Sequence, residues 1–363
     1  MKVYNKSGNE VTDIYNVSGN SLDTAYNFNG NDSYTKTYSI NNVVPYYRTP
    51  VQEMKQTIDG LSDDWQSLVF VTDTHGSANK QHSQAMALYL LANSKAKMIV
   101  LGGDYSSGGW TLSQYSNYMS PYLNSGYMDD IYAVLGNHEA FSNSERQQST
   151  PQIYQDFLSN KTVQGVPESL YFYVDDTQNK TRFMFINTSD YKQYDISDNQ
   201  LAWIRTNSVL PSSEWSLIVF GHENIIAQSI SNYNLYIVGQ GTPSESDVSK
   251  KRHIMLQNAI MNSNGNVIGY FCGHQHIDLV SNVTIDGRKL YEATLLCDKF
   301  ENDNYYSNNP ELYPENDRVV GTNTEQAISV ISFNTKTKDV VIRRIGAGRN
   351  QTMTYNYGTE ASE

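Results

Sequence analysis

Cysteine is nearly missing. Two in 363 residues exclude a disulfide-stapled scaffold and a cysteine-rich zinc fold. Charge is scarce too: Asp, Glu, Lys and Arg make up 18% of the chain, and the net charge is −12. Duplex nucleic acid or an anionic membrane surface calls for a basic face, so neither is expected as a partner. No apolar run reaches the roughly 18 residues of a membrane span. The opening MKVYNKSGNE lacks the apolar stretch of a secretory signal. The chain is therefore expected to be soluble, and either cytoplasmic or associated with a phage particle or cell surface. What is abundant argues against disorder: 39% hydrophobic residues and 12% aromatics, with 28 Tyr, are enough to fill a core. The length suits two domains, or one large α/β sandwich with an appendage.

The N-terminus repeats itself. Tyr4-Asn5-Lys6-Ser7-Gly8-Asn9 recurs as Tyr15-Asn16-Val17-Ser18-Gly19-Asn20 and as Tyr26-Asn27-Phe28-Asn29-Gly30-Asn31. Each unit reads as a short strand and a tight turn, with Gly supplying φ > 0. Together they suggest a small β-rich arm over 1–45, either a decorated edge or a module that contacts a protein or cell-surface partner. A linker is expected over 46–65, a main domain over 66–346 and a tail over 347–363. The main domain is expected to be complete without the arm, in a chain starting near residue 46.

From Gln66 onward, apolar runs rich in β-branched residues alternate with helical spacing, the pattern of a sheet buried on both faces. The runs are Ser67–Val71, Lys97–Leu101, Ile131–Leu135, Tyr171–Val174, Phe183–Ile186, Leu217–Phe220 and Val267–Cys272. Helices are expected over 81–93 and 198–208, the second opened by a capping box of Ser197 and Gln200. Beyond 278 come two hairpins, 279–285 with 289–296 and 327–333 with 339–345. Loops over 105–130, 188–196 and 301–323 are expected to shape any cleft.

The chemistry sits where the strands end. Five of the seven histidines, His75, His138, His222, His274 and His276, follow apolar runs, and Asp73, Asp104 and Asn137 sit beside them. In open α/β sheets ligands bind at the carboxyl ends of strands. Burying that much polarity costs several kcal/mol unless it is paired or metal-bound. A metal accounts for all of it at once.

The ordered set Asp73-x-His75, Gly103-Asp104, Gly136-Asn137-His138-Glu139, Gly221-His222 and Gly273-His274-x-His276 resembles the calcineurin-like metallophosphoesterase family, over about residues 66–345. The resemblance implies a four-layer α/β/β/α sandwich of two mixed sheets flanked by helices. It also implies two divalent or transition-metal ions, drawn from Mn, Fe, Zn or Ni. One ion would be held by Asp73, His75 and His276, the other by Asn137, His222 and His274, with Asp104 bridging them. His138 would be catalytic and not a ligand, Glu139 a structural neighbour. The implied reaction is hydrolysis of a phosphomonoester or phosphodiester by a hydroxide held between the ions.

One departure bears on His138. The family's second motif closes with a further Asp that orients this histidine, and here Ser107 takes its place. The alternative reading is a surface or phage-particle attachment protein with a vestigial or accessory phosphoesterase site. Against a vestigial site stands the intact set of seven ligands and His138. Other side chains receive plainer readings: His82 as surface or satisfied, His253 in a solvated helix start, Cys272 and Cys297 as buried thiols in strands. Arg349 reads as a surface residue. Tyr305, Tyr306 and Tyr313 belong either to a cap over the site or to ordinary surface.

Overall fold

The structure, a computed structural model, describes residues 38–358 apart from 77–78, 107–111, 143–144, 147–148, 192, 231–232, 235–236, 240–250 and 299–317. Near the N-terminus it adds two short strands, Val3–Tyr4 and Glu10–Val11, paired antiparallel. The rest of the repeat arm, Ser107 and the tyrosines at 305, 306 and 313 lie outside the described residues.

Two mixed sheets form the centre. In one, Trp65–Val71, Ala96–Leu101 and Ile131–Ala133 run parallel, and Ala327–Asn334, Asp339–Gly346 and Thr352–Asn356 extend it antiparallel. The other has seven strands. Its parallel middle is Thr181–Phe185, Ser216–Phe220, Asn266–Cys272 and Arg288–Thr294. Leu279–Ile285 flanks this group on one side, and Tyr171–Asp176 with Gln164–Val166 on the other. Rings join the inner faces: Phe70 stacks on Phe220 at 6.2 Å, and Phe183 meets Phe333 edge-on at 6.3 Å. Helices Pro45–Asp59, Gln81–Asn93 and Leu112–Leu123 back the first sheet, and Asp198–Asn207 with Arg252–Met261 the second. This is the four-layer α/β/β/α sandwich. No helix among the described residues is long and apolar enough to cross a membrane.

Several boundaries differ from expectation. The linker placed at 46–65 holds a helix, Pro45–Asp59, which buries Tyr47, Val51, Met54 and Ile58. Their spacing of three to four residues makes one apolar face, obscured in the sequence by Pro50 inside the helix and polar neighbours. The tail placed at 347–363 supplies the edge strand Thr352–Asn356, whose Tyr355 stacks on Tyr291 at 4.4 Å. The loop placed at 105–130 contains Leu112–Leu123, which buries Tyr115, Tyr118, Met119 and Tyr122. Cys297 is buried but lies past the strand that ends at Thr294. The capping box is half made. Ser197 Oγ accepts the Gln200 N–H at 3.2 Å, but the Gln200 amide bonds to the backbone of Asn187.

The helix Pro45–Asp59 moves the point where a shortened chain can begin. A chain starting near residue 46 cuts the first helical turn and removes buried Val43, so the start should be moved to about residue 38. A chain starting after Asp59 loses four buried side chains at about 1.5–3 kcal/mol each. That sum rivals the whole stability of a typical domain. We expect such a chain not to fold, whereas a chain starting at 38 should unfold at the temperature of the full protein in a calorimeter.

Candidate metal centre

Every predicted site residue follows the carboxyl end of a parallel strand. Asp73 and His75 follow Trp65–Val71, Asp104 follows Ala96–Leu101, and Asn137 and His138 follow Ile131–Ala133. From the second sheet, His222 follows Ser216–Phe220, and His274 and His276 follow Asn266–Cys272. The two sheets face each other, so both sets of loops open into one cleft.

The backbone at these loops is strained. Asp73, His75, Asp104, His274 and His276 all have φ between 46° and 68°. Residues with side chains seldom adopt this left-handed region, at a cost of about 1–3 kcal/mol each, and such residues cluster at functional sites. Hydrogen bonds hold them there: Asp73 N–H donates to Gly103 O at 3.0 Å and His75 N–H to Asp104 O at 2.9 Å. Two glycines allow the loops to close. A Cβ on Gly136 would lie 2.1 Å from Asp104 Oδ1, and one on Gly273 would lie 2.0 Å from Asp73 Oδ2.

Three groups of donor atoms result, each gathered within 4.8 Å: Asp73 with His75 and His276, His75 with Asp104 and His138, and Asp104 with His222 and His274. His75 Nε2 faces His276 Nε2 at 3.0 Å, and His276 Nε2 lies 3.3 Å from Asp73 Oδ1. Asp104 is central. Its Oδ2 lies 3.1 Å from His222 Nε2 and 3.8 Å from both His75 Nε2 and His138 Nε2.

A ring of outer contacts aims these groups. His222 Nδ1 meets Gly102 O at 2.8 Å, which leaves Nε2 turned inward. Asp73 accepts from Thr72 Oγ1 and from the His274 N–H, and Asp104 Oδ1 accepts the His138 N–H at 3.0 Å. Glu139, expected as a structural neighbour, is buried and accepts the N–H groups of Asp104, Ser106 and Gly136. One carboxylate thus ties the second motif to the third.

The donor set fits a metal. Asn137 Oδ1 is buried with no hydrogen-bond partner, and His222 Nε2 makes no well-directed hydrogen bond. Burial raises the carboxyls of Asp73 and Asp104, yet the facing imidazoles, His222 first, hold both well below the usual range. Both therefore stay ionised inside the protein and need a positive partner, a role the His222 imidazole holds here: burial lowers it, but the charges of Asp104 and Asp73 carry it well above its usual range. Burial and then the charge on His222 push the His274 imidazole down to about 3, the neutral form that ligates. Imidazole with carboxylate, and no thiolate among these groups, suits Mn, Fe, Zn or Ni.

The remaining histidines sit elsewhere. His82 Nδ1 lies 3.0 Å from Tyr46 Oη, so it is a satisfied histidine, and His253 lies in the first turn of Arg252–Met261. Arg349 is exposed. Sequence reasoning missed Tyr194, whose ring centre stands 5.4 Å from that of His274. Its loop over 188–196 is among those expected to shape the cleft, but a lone tyrosine outside every motif gives no signal of its own.

Similar solved structures include a Vps29 single mutant from Entamoeba histolytica, at 8% identity and TM-score 0.30, covering 82% of this chain and 100% of that one. Yfce, a phosphoesterase from E. coli, is 12% identical at TM-score 0.32, with 81% of this chain and 100% of that one covered. A phosphopantetheinyl hydrolase from Mycobacterium tuberculosis is 11% identical at TM-score 0.33, with 65% and 91% covered. No curated protein matches the sequence. The profile of calcineurin-like phosphoesterases matches residues 67–278. That match takes in both sets of strand-end loops, from Asp73 to His276, and the chain belongs to the calcineurin-like phosphoesterase family.

Proposed function

We propose that the chain hydrolyses a phosphoester with two divalent or transition-metal ions. One would be held by Asp73, His75 and His276, the other by Asn137, His222 and His274, with Asp104 shared. The observation that carries this reading is the orphaned Asn137 Oδ1, buried beside a cleft where two ionised carboxylates and several imidazoles gather their donor atoms. When bound, such ions supply Lewis-acid charge to the phosphoryl oxygens and make water acidic enough to yield a nucleophile. The protein's own part is orientation and proton handling. Asp104 is fixed by the His138 N–H and the Glu139 buttress, so it can face both sites without turning. His138 is more exposed than the ligands, with 38% of its side chain accessible against 5% for His75. That exposure suits a group that meets substrate and gives a proton to the leaving oxygen.

The test is direct. Chain loaded in turn with Mn, Fe, Zn or Ni is offered an aryl phosphate and a bis-aryl phosphate side by side. At least one should release the aryl alcohol, and a chelator should stop the release. The ratio of the two rates then separates monoesterase from diesterase. No hydrolysis of either ester with any of the four metals would overturn the proposal.

A further inference from the structure

Tyr194 lies on the loop between Thr181–Phe185 and the helix Asp198–Asn207, outside every motif. Three contacts tie it to the cleft. Its phenol oxygen accepts from Asn137 Nδ2 at 3.5 Å and from Gln193 Nε2 at 3.2 Å. Its ring stands against the His274 imidazole, with ring centres 5.4 Å apart. Its backbone N–H donates to Ser189 Oγ at 3.1 Å, and that hydroxyl donates to Glu223 Oε1 at 2.7 Å, on the residue after His222. The three endpoints are Asn137, His274 and the neighbour of His222. The first two belong to one of the two proposed ligand groups, and the third adjoins its remaining member.

The residue is also held under strain. Tyr194 has φ 61°, in the left-handed region, and its carbonyl accepts the Gly239 N–H at 2.7 Å. Asp190 braces the loop by accepting the N–H of Ser197 at 2.7 Å and the Ser197 hydroxyl at 2.5 Å. A strained side-chain residue persists only when its surroundings over-determine it. Here they fix a phenol against an amide.

That amide has two ends. A metal takes the carbonyl oxygen of Asn, never the NH2, so an Asn ligand works only if something holds its NH2 away from the ion. The phenol oxygen is an acceptor on the Nδ2 side, and Oδ1 is the buried end without a partner. We infer that Tyr194 is a positioning residue for one metal site, setting the Asn137 amide so that its oxygen faces the ion and closing the His274 side. This inference rests on the two-metal reading above.

The test is a manganese titration of the purified chain by calorimetry, beside thermal unfolding in chelator. Wild type should bind two ions. Tyr194→Phe removes only the hydroxyl and should weaken one class of site about 10–100-fold, the usual loss for an outer partner. The other class, and the metal-free unfolding temperature, should not move. In an Asn137→Ala background, Tyr194→Phe should cost nothing further, because the group it positions is gone. Unchanged affinity in Tyr194→Phe, equal weakening of both classes, or an additive loss in the double variant would each overturn the inference. A single ion in wild type would instead refute the two-metal reading, and with it this role for Tyr194.

Discussion

Asp104→Asn should empty the cleft of both ions and abolish hydrolysis, while His276→Ala should empty only one site. The cause is position. Asp104 Oδ2 lies 3.1 Å from His222 Nε2 and 3.8 Å from His75 Nε2, so this carboxylate stands between members of both proposed ligand groups. Its neighbours hold it ionised although it is buried. The substitution keeps the shape and an oxygen for the His138 N–H, and removes only the charge. Breaking one buried charge pairing costs about 3–5 kcal/mol, a factor of roughly 10²–10⁴ in affinity, and here two ions lose the same partner. Elemental analysis after gel filtration reads the result. Two ions retained with normal turnover would remove Asp104 from the centre of the site.

His138→Ala should behave in the opposite way. Both ions should remain while turnover falls about 10²–10⁴-fold, the usual cost of a lost acid–base group. The His138 backbone N–H that fixes Asp104 is kept in Ala, so the ligand cage should survive. The loss should shrink for aryl phosphates with acidic phenols, which need no proton on departure. The geometry also offers a rival: His138 could ligate together with His75 and Asp104, since their donor atoms lie within 4.8 Å of one another. Under that rival the variant loses metal, and the loss of turnover is the same for good and poor leaving groups.

What could be read from the sequence was what local chemistry dictates. Val69-Phe70-Val71 and Ile99-Val100-Leu101 are apolar on both faces because both faces are covered, and the polar residues that follow them fall at the strand ends. The candidate donor residues were legible for the same reason. Elements whose logic is tertiary were not. The helix Pro45–Asp59 hides its apolar face behind Pro50, and it is the sheet packed beneath that makes the helix worthwhile. Thr352–Asn356 is mostly polar and becomes a strand by pairing with Asp339–Gly346. Tyr194 depends on Ser189, Gly239 and Asn137, none of which can be paired with it by spacing. Positive φ at Asp73, His75, Asp104, His274 and His276 was equally invisible, since a backbone angle imposed by a crowded cleft leaves no mark on residue type.

We expect one cleft to hold two ions around a shared carboxylate. Anomalous diffraction from crystals grown with manganese tests it most directly. Two peaks are expected about 3.5–4 Å apart, both within bonding distance of Asp104, one beside Asp73 and His276 and the other beside Asn137 and His274. A single peak, or two peaks without Asp104 between them, would contradict it.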